Sequence, residues 1–415
     1  MIFHDIVIVG GGPAGMAAAI AAYDHGVTDV VILDREPEMG GILRQCIHAG
    51  FGLHRLGQEL TGPEYADVFK QQVLARNIRV FYETTVTAVS HDKIVTAQSR
   101  DGILKIQAKA VILAMGCRER SRGALNIPGT RPAGIFSAGT AQKFINCDGY
   151  MVGKKVVILG SGDIGLIMAR RMTLEGAKVE AVCELLPYSG GLTRNIVQCL
   201  NDFDIPLYLS TTVCEIHGKG RLEGVTIANV DEHRNPIEET KRYIPCDTLL
   251  LSVGLIPENE LTQSAGIPID PITGGAIVDE NCQTCSPGIF ACGNVLQVHD
   301  LVDYVSDEAE RAGHGAANYV LHGQKDTTYI SVKPNAGIRY VLPQQIRRLA
   351  DTDVSLFFRV TQPFSKVKIS VKSGDTILAT SKRLRVAPGE MEKITIDGEL
   401  LKSVTEEITV QLEEV

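Results

Sequence analysis

The chain has 415 residues, of which 44% are apolar, 5% are aromatic and none is tryptophan, and it contains 41 glycines. This composition is typical of α/β domains joined by tight turns, and the length allows two or three domains that each bury a core. A net charge of −8 argues against nucleic acid or an anionic membrane as the main partner, and ten scattered cysteines argue against a disulfide scaffold.

The first predicted elements are a strand at residues 5–9, the turn "GGGPAG" at 10–15 and an alanine-rich helix. A second strand, "DVVILD", ends at Asp34. His4, Asp5 and the glycine turn interrupt the apolar start of the chain, so it does not read as a signal peptide or a membrane span. We therefore expect a soluble, untargeted, cytoplasmic protein.

The same pattern recurs about 150 residues later. A strand at 155–159 leads into "GSGDIG" at 160–165, a helix follows, and the strand "KVEAVCE" ends at Glu184. In such βαβ units the glycines allow a tight turn and close approach of a pyrophosphate, the helix N-terminus faces the phosphates, and the carboxylate binds a ribose. Two copies in the correct context predict two dinucleotide sites.

Beyond residue 324 the pattern changes to short alternating runs such as "VSLFFRV", "VKISVK" and "EITVQLEEV", separated by turn signals. This spacing predicts an antiparallel β-sandwich of roughly 90 residues. The segment contains no cysteine, which favours a stability or docking module over a second active site.

Several further motifs carry a family resemblance: "AVILAMG" (110–116), "CDTLLLSVGLIPENEL" (246–261) and "SPGIFACGNV" (286–295). With the two glycine turns, they resemble the pyridine nucleotide-disulfide oxidoreductase superfamily in its compact, thioredoxin-reductase-like arrangement, over residues 1 to about 323. The resemblance implies an α/β fold with two Rossmann-like three-layer dinucleotide-binding domains, one for FAD and one for NAD. We place a discontinuous FAD-binding domain at 1–117 and 252–323, an NAD(P)H-binding domain at 118–251, and a C-terminal all-β sandwich-like domain, an unrelated appendage, at 325–415.

The resemblance also implies which residues bind each cofactor. For FAD they are Gly10, Gly12, Pro13, Ala14, Gly15, Asp34, Arg35, Gly41, Ile42, Gln45, Val86, Ala114, Gly116, Gly293, Asn294, Leu301 and Val302. For NAD they are Gly160, Gly162, Asp163, Ile164, Gly165, Glu184, Val253 and Gly254. Asn294 stands where the family usually has Asp, and its amide can still hydrogen-bond a hydroxyl. Glu184 would repel a 2′-phosphate and no cation occurs in the following "LLPYSGG", so we expect NAD(H) rather than NADP(H).

A redox dithiol, which disulfide reductases require, is not expected. Cys46 has no partner at a suitable spacing, and Phe144 stands where the thioredoxin-reductase-type site would place the cysteine preceding Cys147. Cys282 and Cys285 form a Cys-x-x-Cys, but in a hairpin that we expect to lie away from the flavin, as incidental surface cysteines.

Hydride transfer between nicotinamide C4 and flavin N5 requires no general acid or base, so no catalytic residue is assigned with certainty. The candidates are Cys46, His48 and His299. The histidines would relay a proton to the flavin, or serve structural or surface roles; Cys46 would be a redox group or a small buried side chain. Residues 300–302 lead into a helix whose N-terminus we expect to face the flavin pyrimidine. No metal site is expected.

The stretches "GGILRQCIHAGFGLH" and "ACGNVLQVHDLVDYVS" resemble FAD/NAD subunits of proline dehydrogenase, opine oxidase, hydrogen cyanide synthase and glycerol-3-phosphate-oxidising complexes. That resemblance implies NADH, a partner flavoprotein or iron–sulfur subunit, and an oligomer. The leading hypothesis is an FAD-dependent oxidoreductase within a dehydrogenase complex. The alternatives are a thioredoxin-reductase-like disulfide reductase or stand-alone NADH oxidase, and a redox-inert nucleotide-binding scaffold subunit.

Overall fold

The computed structural model describes residues 1–324, 328–348 and 352–414. The chain forms two compact units, one from Met1–Cys117 and Pro257–Val415 and the other from Arg118–Ile256. The second unit is therefore inserted into the first, a few residues beyond the predicted boundary at 252. Within the described residues, no helix combines the length and apolarity that crossing a bilayer would need.

The elements of the first segment are β1 (Ile2–Val9), α1 (Pro13–Asp24), β2 (Val30–Leu33), β3 (Ala49–Phe51), β4 (Leu60–Thr61), α2 (Gly62–Ala75), β5 (Arg79–Phe81), β6 (Thr85–Val89), β7 (Ile94–Ser99) and β8 (Gly102–Leu113). Those of the insertion are β9 (Cys117–Glu119), α3 (Arg122–Leu125), β10 (Ile135–Ser137), α4 (Ala138–Asn146), β11 (Lys155–Leu159), α5 (Asp163–Leu174), β12 (Lys178–Cys183), α6 (Thr193–Cys199), β13 (Leu207–Tyr208), β14 (Thr211–Gly218), β15 (Leu222–Asn229), β16 (Arg242–Pro245), β17 (Thr248–Leu251) and β18 (Leu255–Pro257).

The remaining elements that the structure describes are α7 (Glu260–Ser264), β19 (Ile289–Ala291), α8 (Val302–His322), β20 (Tyr329–Pro334), β21 (Ile338–Leu342), β22 (Gln345–Arg347), β23 (Val354–Val360), β24 (Phe364–Ser373), β25 (Thr376–Val386), β26 (Glu392–Ile396), α9 (Gly398–Leu401) and β27 (Ile408–Glu414).

The main sheet of the first unit has the order β5-β2-β1-β8-β7-β6. Strand β8 changes its mode of pairing along its length, because its first half pairs antiparallel with β7 and its end pairs parallel with β19. Successive residues of β1 face opposite sides: Ile6 and Ile8 pack in the cluster formed with α1, α2 and α8, and Val7 and Val9 in the cluster on the other face. An unbroken apolar run is typical of a strand buried on both faces.

The inserted unit repeats this design with a parallel sheet of order β10-β17-β11-β12-β13. Val156 and Ile158 of β11 pack in the cluster that includes α5, whereas Val157 and Leu159 pack with the antiparallel strands β14, β15 and β16. Helix, parallel sheet and antiparallel sheet form three layers. The predicted α/β fold with Rossmann-like dinucleotide-binding domains is confirmed.

The C-terminal strands form two facing sheets, β22-β20-β27-β24-β25 and β21-β23-β26. Leu356, Phe358 and Val360 of β23 face the core between the sheets, as the period-2 pattern predicted. The all-β character of this region is confirmed.

The expectation that this sandwich is an unrelated appendage is wrong in structural terms. Tyr340 and Leu342 of β21 are buried in the apolar cluster on the outer face of the first sheet. The guanidinium of Arg347, on β22, donates to the fully buried carboxylate of Asp279 at 2.8 Å. Arg311 of α8 lies over the ring of Phe357, 4.7 Å from its centroid. The sandwich therefore completes the layer and charge balance of the unit it packs on.

Candidate functional site

Parallel register brings the carboxyl ends of four strands to one edge of the first sheet. Gly10 N donates to Leu33 O at 2.9 Å, Ala114 N to Val9 O at 2.9 Å, and Cys292 N to Leu113 O at 3.0 Å. The residues that follow β1, β2, β8 and β19 therefore meet here. Such an edge is where open α/β sheets bind ligands.

The turn after β1 requires glycine for steric reasons. Gly10 has a φ of +106°, and a Cβ there would overlap the carbonyl oxygen of Ala114. A Cβ on Gly15 would overlap the carbonyl oxygen of Gly10, so only glycine lets α1 start directly against the turn. Among the described residues no side chain caps α1, and its first turn carries no acid. The positive end of this helix is thus available to a phosphate.

Asp34 is the buried carboxylate at this edge. Its Oδ2 accepts a hydrogen bond from Gly11 N at 2.6 Å, and its Oδ1 accepts one from Glu36 N at 2.8 Å. Burial raises the pKa of Asp34, and the two amide hydrogen bonds oppose that rise. A carboxylate offers about four acceptor positions, so two remain for the ribose hydroxyls of a dinucleotide. The residues present fit the adenosine half of FAD.

Two further segments close around the same turn. Gly41 lies so near Gly12 that a Cβ on Gly41 would be 3.1 Å from Gly12 Cα. A Cβ on Gly293 would be 2.7 Å from Ala14 Cβ and 3.4 Å from Val305 in the first turn of α8. The N-terminal ends of α1 and α8 therefore converge at Gly293, which forms a cradle with two positive helix ends.

A buried polar network lies behind this cradle. Glu308 of α8 accepts hydrogen bonds from Gly293 N at 2.8 Å and from Gln297 Nε2 at 2.7 Å, and its Oε2 lies 3.4 Å from His299 Nε2. Burial alone would raise the pKa of Glu308, but the His299 imidazole and the hydrogen bonds hold it below its ordinary value. Asn294 Oδ1 accepts from His299 N at 3.0 Å.

This network bears on the proton-relay prediction for His299. The His299 side chain is 2% exposed and is engaged by Glu308 and Asn294, which favours the structural alternative. His48 is half-buried, with Nδ1 3.1 Å from Ala49 O, and its ring lies 5.0 Å from that of Phe51. Cys46 Sγ donates to Ile42 O at 3.4 Å. Their catalytic roles stay predictions.

The other residues predicted to bind FAD occupy varied surroundings. Ile42 is exposed beside the cradle, and the Arg35 guanidinium, also exposed, lies 3.6 Å from the Glu258 carboxylate. Val86 is half-buried on β6, and Gly116 O accepts a hydrogen bond from Glu258 N. The structure brings together at one edge the predicted residues Gly10, Gly12, Pro13, Ala14, Gly15, Asp34, Gly41, Ala114 and Gly293.

The inserted unit builds the second site in the same way. Gly160 has a φ of +99°, and its Cβ would overlap the carbonyl oxygen of Ser252. Gly160 N donates to Cys183 O and Ser252 N to Leu159 O, both at 2.7 Å. The ends of β11, β12 and β17 therefore meet as those of β1, β2 and β8 do.

Glu184 holds the position that Asp34 holds in the first site. Its Oε2 accepts from Ser161 N at 2.9 Å and from Ser161 Oγ at 2.7 Å, and its Oε1 accepts from Leu186 N at 3.0 Å. Ser161 was not predicted, although its place between two fingerprint glycines is the signal that could have identified it. The remaining acceptor capacity suits one ribose hydroxyl, so these residues fit a dinucleotide.

Predicted residue Asp163 has protein partners in this structure. Its Oδ1 accepts hydrogen bonds from Leu192 N at 2.8 Å and from Asn195 Nδ2 at 2.7 Å, which fixes the loop before α6 against the start of α5. Gly254 has a φ of +98° with open space at its Cβ position, and its carbonyl oxygen accepts from Arg120 N.

All ten cysteines are reduced thiols. Cys147 and Cys285 are exposed, whereas Cys282 is only 4% exposed and packs in the first unit's core. The prediction that both cysteines of the Cys-x-x-Cys lie on the surface is therefore wrong for Cys282, because its hairpin turns this side chain toward α8. Burial raises the pKa of the Cys282 thiol to about 12. Among the residues described, no group of acids, histidines and cysteines could hold a metal ion.

Comparisons with known proteins agree with this geometry. A family model described as pyridine nucleotide-disulphide oxidoreductase matches residues 4–313. One of the two opine oxidase chains of Agrobacterium tumefaciens is 25% identical over 317 residues, which cover 70% of this chain and 61% of that protein. Thioredoxin reductase of Treponema pallidum is 26% identical over 323 residues, covering 76% of this chain and 97% of that protein. The chain thus spans less than two thirds of the opine oxidase relative but almost all of the reductase.

Among solved structures, thioredoxin reductase of T. acidophilum is similar, with a TM-score of 0.64 and 25% identity. The similarity covers 77% of this chain and 99% of that one. The family match ends at residue 313, before the first strand of the C-terminal sandwich.

Proposed function

Because this chain belongs to the pyridine nucleotide-disulphide oxidoreductase family and is an FAD-dependent NAD(P)H oxidoreductase, we propose that it exchanges a hydride between NAD(H) and FAD without an internal dithiol. Its electrons then pass to or from a partner protein or a small acceptor. The single observation that carries the assignment of two cofactors is the repeated contact in which a fingerprint amide donates to a strand-end carboxylate, Gly11 to Asp34 and Ser161 to Glu184.

The division of labour follows from chemistry. Bound flavin and nicotinamide supply the hydride chemistry, and the protein contributes binding, orientation and electrostatics. In the first unit, Asp34 holds a ribose, the α1 N-terminus holds phosphate, and the α8 N-terminus favours negative charge on its ligand. In the second, Glu184 and the α5 N-terminus take the corresponding roles.

NAD(H) is the proposed nicotinamide cofactor. Glu184 is held in place by two donors from Ser161 and one from Leu186, so its charge lies fixed where a ribose 2′-hydroxyl would approach. A carboxylate accepts a hydroxyl proton but repels a 2′-phosphate. A kcat/KM for NADH at least tenfold above that for NADPH is expected, and the reverse preference would contradict this assignment.

The positions of the thiols support electron exchange without a dithiol. Cys147 is exposed at the end of α4, Cys282 is buried, and the pKa of Cys282 is raised to about 12, which keeps it from acting as a thiolate. Anaerobic titration with NADH tests the proposal. Uptake of one electron pair per FAD is expected, and uptake of two pairs would show a redox-active disulfide as well.

A family relative that is part of an opine oxidase supports the further proposal that this chain works in a complex with a second flavoprotein or an iron–sulfur protein. Co-purification from the native source tests it: a stoichiometric, substrate-oxidising flavoprotein is expected. Thioredoxin instead would favour the disulfide-reductase alternative. Flavin that NADH does not bleach would favour a redox-inert scaffold.

A further inference from the structure

An arginine of the C-terminal sandwich reaches the segment that leads into α8. Arg359, on β23, donates from Nη2 to Val298 O at 3.0 Å, and the same nitrogen lies 3.5 Å from Asp300 Oδ1. The other oxygen of Asp300 accepts from Met391 N, also in the sandwich, at 3.2 Å. The side chains of Arg359 and Asp300 are 14% and 8% exposed, so this pair is shielded from solvent.

The guanidinium of Arg359 is held rigidly by its own domain. Its Nη1 donates to Pro388 O at 2.9 Å and its Nε to the Tyr340 hydroxyl at 3.2 Å. All three nitrogens therefore have acceptors. A planar fork fixed in this way loses little conformational freedom when it engages a carboxylate, unlike an exposed surface pair.

The segment that Arg359 grips lies next to the candidate flavin cradle. His299, between Val298 and Asp300, is tied to Asn294 and Glu308. Helix α8 begins two residues after Asp300, and its first turn contacts Gly293, which contacts the start of α1. Arg359 thus acts on the helix end that converges with α1 at this cradle.

The charges at this helix end are matched. An unpaired Asp300 carboxylate would offset the positive end of α8 and oppose negative charge on a nearby ligand. Arg359 supplies the compensating cation, and Met391 N supplies a hydrogen bond. Neither residue lies in the part of the chain that the family model matches.

From these contacts we propose that Arg359 is a positioning residue, through which the C-terminal sandwich holds residues 298–300 and keeps the α8 N-terminus electrostatically suited to reduced FAD. This inference rests on the proposed flavin site in the first unit. It gives the sandwich a role in setting the redox balance of the cofactor, beyond covering apolar surface.

The test compares full-length variants by the ratio of reduced to oxidised flavin at a fixed NADH:NAD⁺ ratio. Arg359→Gln leaves Asp300 unpaired, and we expect that ratio to fall roughly tenfold, which is about 30 mV for a two-electron couple. Asp300→Asn combined with Arg359→Gln removes the unpaired charge and should bring the ratio back to within about threefold of wild type.

Arg347→Gln is the matched control, because Arg347 also joins the sandwich to the first unit but contacts Asp279 and Glu280 instead. It should leave the flavin ratio unchanged. Arg359→Lys keeps the cation and should shift the ratio by less than threefold, so it tests the idea if Arg359→Gln does not fold.

The inference is overturned if Arg359→Gln binds FAD with the wild-type ratio, or if Arg347→Gln shifts the ratio equally. Loss of FAD in Arg359→Gln but not in Arg347→Gln would support it. A wild-type protein that binds no FAD would instead refute the proposed function, so the two failures are distinguishable.

Discussion

At the scale of single residues, two carboxylates do matching work in two units. Asp34 accepts two backbone amides, whereas Glu184 accepts two amides and a serine hydroxyl. The added hydroxyl leaves Glu184 less spare acceptor capacity and fixes its orientation more tightly. The difference makes Glu184 the better residue at which to test nucleotide assignment.

Glu184→Gln is predicted to weaken NADH binding while leaving FAD content unchanged. The amide keeps one acceptor oxygen and turns an N–H₂ group toward donors that the carboxylate satisfied, so hydrogen bonds to a charged group are lost. Such bonds contribute about 1.5–3 kcal/mol, so the Kd for NADH should rise roughly tenfold or more. Isothermal titration measures it, and Asp34→Asn is the mirror control, which should lower FAD content instead. Equal loss of both cofactors in either variant would contradict the assignment of sites.

The thiols should differ in reactivity. At pH 8, iodoacetamide should label exposed Cys147 and Cys285 in the native protein and leave Cys282 unlabelled, because the pKa of Cys282 is raised to about 12 by burial and the thiolate is the nucleophile. Mass spectrometry after labelling measures this, with urea-unfolded protein as the control in which Cys282 also reacts. Rapid labelling of native Cys282 would show that its hairpin opens.

At the scale of elements, the sequence carried enough information to predict both βαβ units. Each rests on local requirements: an apolar strand, glycines where a side chain would overlap a carbonyl oxygen, and a carboxylate at the next strand end. The burial of Cys282 and the contacts of Arg359 could not be predicted in this way. They depend on side chains brought together from segments far apart in the chain, and no local pattern marks them.

The helix glycines offer a test at this scale. Gly165→Ala would place a Cβ 2.6 Å from Gly160 O and 2.9 Å from Ser252 Cβ, which pushes α5 away from its turn. We expect NADH affinity to fall at least tenfold with FAD retained, and Gly15→Ala to show the opposite pattern. Gly123→Ala, whose Cβ would meet only Ser121 Oγ at 3.7 Å, is the neutral control. Absorbance at 450 nm and NADH titration report the two outcomes.

At the scale of the whole molecule, the sandwich is attached through ionisable groups. Arg347 engages both Asp279 and Glu280, and Asp279 is fully buried. Burial, and then the neighbouring Asp279 charge, raise the pKa of Glu280 to about 7. One carboxyl of this pair therefore stays protonated through mildly acidic pH.

Stability should depend on pH through this pair. Because the folded-state pKa of Glu280 lies above its ordinary 4.5, the folded protein binds more protons than the unfolded chain between those values, so this contribution to stability falls as pH rises from about 4.5 to 7 and is constant above. Calorimetric Tm should decline across that range more steeply in wild type than in Glu280→Gln. Parallel Tm curves would show that Glu280 does not titrate there.

Removing residues 325–415 is predicted to cost the protein its flavin, in contrast to the behaviour of a dispensable appendage. Truncation uncovers the apolar outer face that Tyr340 and Leu342 fill, and leaves the buried Asp279 carboxylate without Arg347. An unpaired buried charge alone costs about 3–5 kcal/mol. The FAD:protein ratio of the purified truncation measures the effect, and a ratio near one would show that the flavin site does not need the sandwich.

The two-way pairing of β8 has a consequence for biosynthesis. Its partner β19 is translated only after the whole inserted unit, and the sandwich that covers the same sheet is translated last. The inserted unit, being continuous, has all its strands outside the ribosome first and is expected to fold first. Flavin loading then becomes a late event at chain release, so the supply of free FAD at that moment governs how much holoprotein a cell accumulates.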